Sequence, residues 1–142
     1  DLHSFPTRRS SDLGIAEMAA LNATEKAILE LRCCCERVEE RIASGDMYIQ
    51  DDIAFHTSVA RCSGNKVVEQ LIPIIDTAVM MFVNVTHQRL TKETVMTHRA
   101  IVDAISDRDP IGAKTAMMMH MTYNRNMILK LIREEKEKNH KE

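Results

Sequence analysis

From Gly14 onward, apolar residues return every three or four positions, the period of an α-helix with one buried face. A short helical piece, Gly14 to Asn22, leads to Thr24, whose hydroxyl suits an N-cap; the helix that follows should run to about Ala43, where Ser44 and Gly45 stop it. Asp46 can cap the next helix, which carries Ile49, Ile53, Val59 and Ala60 on its apolar face and ends at Ser63 and Gly64. Asn65 can cap a third, from about Lys66 to Gln88, with Val68, Leu71, Ile75, Val79 and Phe82 along one side and a kink expected at Pro73. A fourth runs from about Lys92 to Ser106. Asp109 and Pro110 then form the N-cap and first residue of a last long helix, which fades into a charged tail over residues 136–142. Short connections predict antiparallel neighbours, so the fold class is all-α, an antiparallel helical bundle of about six helices.

Composition agrees with that pattern. Only 4 Gly and 3 Pro interrupt the chain, and 44 % hydrophobic residues among 142 suffice for one domain with a core. The formal net charge of −2 comes from interspersed acids and bases, which leaves no strong field to attract a phosphate backbone. With no apolar run long enough to span a bilayer and no secretory pattern at the start, the expectation is a cytoplasmic protein with no membrane partner. Cys33, Cys34, Cys35 and Cys62 match neither a disulfide framework nor a paired zinc spacing, and read as reduced thiols, with Cys35 packed in line with Leu31, Val38 and Ile42.

Residues 1–13 look unlike the rest. The string from His3 to Leu13 has no helical period and resembles one reading frame of a common sequencing-adapter oligonucleotide, so this leader is expected to be artefactual or disordered, ahead of a domain over residues 14–135.

Four polar residues do not fit a plain bundle. On a 3.6-residue wheel Asp52 and His56 fall within the stripe of Ile49, Ile53 and Ala60, so a carboxylate and an imidazole face the core. An ionised carboxylate buried alone costs several kcal/mol, and something must compensate it. One turn apart, the two side chains can converge on one ion. His98 lines up with Val95, Ile101, Val102 and Ile105, and His120 with Ala113, Ala116, Met117, Met127 and Leu131. Both stand eleven residues from Asp109, the turn between two antiparallel helices, and so at similar heights. A single core histidine is more often bonded to a backbone carbonyl than to a metal. Three inward histidines with an inward aspartate form an N/O set that suits zinc, nickel, iron or manganese. The link from His56 to His98 needs a kink at Pro73 or an early end of the third helix, because a straight helix overshoots. His3, His87 and His140 are assigned to leader, surface and tail.

The segment Asp52-Ile53-Ala54-Phe55-His56, then Ser63-Gly64-Asn65, then Thr97-His98-Arg99-Ala100-Ile101, and finally Asp109, Ala113, Met117 and His120 at their spacings resemble the FCD effector-binding domain of FadR-type GntR regulators. The resemblance covers Gly14 to about Ile132. It implies a bundle whose first helix is truncated here, a homodimer, and DNA binding only through an N-terminal winged-helix domain missing from this chain. It also implies a divalent metal, zinc first, held by Asp52, His56, His98 and His120; joining the two pairs into one site rests mainly on it. Two positions depart from the pattern: Thr97 stands where a Glu commonly precedes the histidine, and Arg108 replaces a frequent Gly.

The function this implies is sensing of a small carboxylate effector, an organic acid, at an open metal position, with Asn124, one turn beyond His120, as a candidate effector hydrogen-bonding residue. Catalytic residues are not assigned. Two alternatives are a metal-dependent hydrolase or oxidase using the same site, against which no further carboxylate is placed as a general base, and a metal-free structural dimerisation bundle.

Overall fold

A computed structural model describes residues 5–86 and 89–140, with the backbone alone for residues 5–12. Among the described residues the chain forms seven helices and no strand: α1 Phe5–Asn22, α2 Glu25–Ala43, α3 Ile49–Cys62, α4 Lys66–Glu69, α5 Ile72–Thr86, α6 Thr91–Ser106 and α7 Pro110–Asn139. The all-α bundle is as the periodicity predicts.

Three of the expected caps hold. The side chains of Thr24, Asn65 and Asp109 accept hydrogen bonds from the backbone N–H of Ala27, Val67 and Gly112 and so pair donors that the first helical turn leaves free. The fourth does not: α3 starts at Ile49 behind Tyr48, with no side-chain cap, and Asp46 lies outside it. Buried Tyr48 instead shares a side-chain hydrogen bond with Thr94, which ties the start of α3 to α6. α1 begins at Phe5, ahead of Gly14; Pro6 falls in its first turn, where a missing N–H costs no helical bond. His3 and His87 lie outside the described residues, and His140 is the exposed C-cap of α7.

The expected third helix with a kink is two helices. α4 is a single turn; after Gln70 and Leu71 the chain restarts as α5, with Pro73 as its second residue. Proline removes one donor and clashes with the preceding turn, so the backbone ends one helix and begins another rather than bending through. This break lets α5 pack along α3.

The core brings α1, α2, α3, α5, α6 and α7 together. Small side chains on one face of α1, Ala16, Ala19, Ala20 and Ala23, are buried, and α1 lies closely against α7, which contributes Ala113, Ala116 and Met117. α6 and α7 pack as neighbours around the turn at Asp107–Asp109. Cys35 is fully buried beside Leu31 and Val38, as its register predicts; Cys34 is buried too, and Cys33 is exposed.

Candidate metal centre

α3 packs on α1, α2 and α5 and faces α6 and α7 through side chains. Imidazoles fill that space. The ring of His56 lies 5.4 Å from that of His98 and 5.1 Å from that of His120, centre to centre, and His98 lies 5.0 Å from His120. Each can turn one ring nitrogen toward a common point, with the three nitrogens within 4.8 Å of one another. Asp52 Oδ1 stands 3.2 Å from His98 Nε2 and 3.7 Å from His56 Nε2. Ligand atoms around a tetrahedral ion with bonds of about 2.0–2.2 Å lie roughly 3.4 Å apart, which these two separations bracket.

Asp52, His98 and His120 are buried, and the His56 side chain is 11 % exposed. Asp52 Oδ1 and both ring nitrogens of His98 are sealed from solvent and have no hydrogen-bond partner among the described residues. Although Oδ1 and Nε2 are close, their alignment is not that of a hydrogen bond. Native interiors leave few such atoms unpaired, and each asks for a partner. A divalent cation bound by carboxylate and imidazole would supply one, so the residues present fit the metal.

Electrostatics point the same way. Burial, partly offset by His56, pushes the Asp52 carboxyl up to about 6, and burial pushes the His98 imidazole down to about 3. His120 is also held well below its ordinary value, by burial first and by His98 beside it. The two histidines therefore keep neutral rings, with the lone pair a metal needs.

Two side chains missed by the sequence reading shape the site. Phe55, fully buried, stacks on His98 with centroids 3.9 Å apart and planes 15° from parallel, and meets His56 edge-on at 5.4 Å. Its place between Asp52 and His56, three residues from the carboxylate, was a signal that it shares their inward side. Thr97, where the family commonly has Glu, is buried with its Oγ1 2.8 Å from His120 Nδ1. Thr94 and Thr97 are buried along α6 while Val95 is half-buried, so the inward stripe turns slightly from the one expected. Asn124 Nδ2 lies 3.5 Å from His120 Nε2, which puts Asn124 at the edge of the cluster.

Arg108, the other departure, adopts φ +58°, the left-handed conformation that favours glycine. Its guanidinium reaches back to the carbonyl of Ala23 and to Glu25 Oε1 at 3.2 Å.

The FCD domain matches residues 5–123. An uncharacterized HTH-type transcriptional regulator, YcbG of Bacillus subtilis, is 27 % identical over 131 residues, which cover 87 % of this chain and 52 % of that protein. The HTH-type transcriptional repressor NanR of Citrobacter rodentium is 28 % identical over 123 residues, 84 % of this chain and 47 % of NanR. Among solved structures, a Streptococcus agalactiae GntR aligns with a TM-score of 0.74 and 27 % identity, over 86 % of this chain and 56 % of its own. The chain spans about half the length of the curated relatives it matches. On the match of a family that spans most of its length and on relatives of this kind, the chain belongs to the FCD domain family of GntR-type transcription regulators.

Proposed function

We propose that this domain senses a small carboxylate effector at a divalent metal held by Asp52, His56, His98 and His120, and passes the signal to a DNA-binding domain elsewhere in a dimeric regulator. The observation that carries the reading is the set of buried polar atoms at Asp52 and His98 with no partner among the described residues, beside a cluster in which the nitrogens of His56, His98 and His120 lie within 4.8 Å of one another. In a core, such atoms are costly without a partner, and a cation between carboxylate and imidazole offsets their desolvation.

A bound metal supplies a Lewis-acidic positive charge to which a carboxylate oxygen can bind. The chain's own residues do the rest. Asp52 offsets the charge, the histidines contribute ring nitrogens from three different helices, and Phe55 keeps the His98 ring from turning. Asn124, at the edge of the cluster, is assigned a hydrogen bond to the effector. An effector held there contacts α3, α6 and α7 at once, and any preference for one helix arrangement is the most it can transmit. Zinc suits the donor set best, with nickel, iron or manganese compatible. Operator binding is assigned outside this domain, since the relatives' names describe helix-turn-helix regulators and the chain has a net charge of −2.

Elemental analysis of protein purified without chelator tests the reading. Close to one ion per chain, lost as the ligands protonate in acid, is expected. Less than about 0.1 ion per chain after zinc loading and desalting overturns it and leaves the metal-free bundle.

A further inference from the structure

We propose that Thr97 is a positioning residue that sets the tautomer of His120, so that Nδ1 carries the proton and Nε2 the lone pair. The inference rests on the metal-site reading above and concerns one hydroxyl. The Thr97 Oγ1 is 2.7 Å from the backbone carbonyl of Glu93, 3.4 Å from that of Thr94, and 2.8 Å from His120 Nδ1. A hydroxyl has one proton and two lone pairs. Both carbonyls can only accept, so the proton goes to the nearer one, at Glu93. What faces His120 is then a lone pair, and the 2.8 Å contact is a hydrogen bond only if Nδ1 is the donor.

In a neutral imidazole the other nitrogen, Nε2, is then unprotonated. That nitrogen can accept from Asn124 Nδ2, 3.5 Å away, in the metal-free protein, and its lone pair is the one that an ion would take once Nδ1 is engaged. The backbone of α6 thus reads through one side chain onto a ring in α7. A histidine that binds metal with one nitrogen gains basicity and a fixed orientation when the other donates to an oxygen; here the oxygen is a neutral hydroxyl oriented by its own helix. Thr97 is buried, so water does not compete for the contact.

The test uses the full chain as it is, with Thr97→Val, which keeps the shape and removes the hydroxyl, and Thr97→Ser, which keeps the hydroxyl. Long-range 1H–15N NMR of the imidazoles at neutral pH in zinc-free wild-type protein should report His120 as the Nδ1–H tautomer. In T97V that preference should be lost, and zinc affinity, measured by competition with a chromophoric chelator, should fall about 10- to 100-fold, with T97S within about threefold of wild type. A wild-type His120 protonated on Nε2 or, where the wild type does bind zinc, a T97V variant that binds it as tightly, overturns the assignment. The tautomer is read without metal and without a variant. A chain that binds no zinc but shows the Nδ1–H tautomer therefore sinks the metal reading and leaves the Thr97–His120 assignment standing, while the converse result separates them the other way.

Discussion

Asp52 Oδ1 and His98 Nε2 face each other across 3.2 Å in the core, and neither makes a hydrogen bond among the described residues. Two buried polar atoms left so placed destabilise the metal-free domain and favour anything that bridges them. Replacing Asp52 with Asn removes the buried charge and adds an amide N–H that can donate to the imidazole. In EDTA, D52N should be about 1–3 kcal/mol more stable than wild type by urea denaturation at pH 7. With free zinc at a hundred times its Kd, the wild type should gain about 2.7 kcal/mol and D52N far less. Zinc raising both equally, or D52N being the weaker protein in EDTA, would contradict the site.

The turn between α6 and α7 allows a second test. Arg108 is left-handed at φ +58° and donates to the Ala23 carbonyl. Arg108→Ala loses that bond and keeps the strain of a Cβ in this conformation, a cost of about 1–2 kcal/mol. Arg108→Gly loses the same bond and relieves the strain. Glycine should therefore be more stable than alanine at this position by about 1 kcal/mol in thermal or urea melts, the reverse of the usual helix-interior order. Equal stabilities would mean that the turn relaxes away from the left-handed geometry.

Stability should fall in alkali. Burial, with Glu39 adding, pushes the Cys35 thiol up to about 12 from 9.0, and burial pushes Cys62 up to about 11. Both thiols point at acceptors, Glu39 Oε1 and the Ala27 carbonyl, each at 3.7 Å, and so need their protons. The unfolded chain releases those protons near 9.0, the folded chain only near 11 and 12. This contribution is thus fully present below pH 9 and is lost as pH rises toward 12. Urea midpoints at pH 8, 9 and 10.5 should decline in that order, and alkylation of the native protein at pH 8 should reach exposed Cys33 well before Cys35. A flat midpoint would remove the argument.

Close approach of α1 to α7 depends on alanine. Ala19 is fully buried on the Ala16–Ala23 face, and the added volume of Leu there should cost about 1–3 kcal/mol. Ala19→Ser, nearly the same size, should cost less than Leu. Circular dichroism melts of the two variants decide it.

Much of the fold was legible because it is written locally. Helical period, three of four caps and the Asp109–Pro110 start each depend on residues within one or two turns of one another. The inward placement of Asp52, His56, His98 and His120 was legible for the same reason, since a wheel needs nothing but spacing. The exceptions are instructive. Pro73 announces an interruption in any sequence, but whether the helix bends or restarts depends on how α5 must run to lie against α3. Asp46 is a good cap by type, yet the chain enters α3 behind Tyr48, whose burial against the bundle outweighs one surface hydrogen bond.

By itself, then, the sequence determined that this is an all-α bundle and which side of each helix the four polar residues take. The tertiary structure decided that the rings of His56, His98 and His120 come together, with Asp52 beside His56 and His98, because the break after α4 returns the chain along α3 rather than past it. It also decided what each ring touches: Phe55 against the face of His98, and Thr97 against the Nδ1 of His120. Such contacts join residues from different helices, and no periodicity within one helix carries the distance to the next.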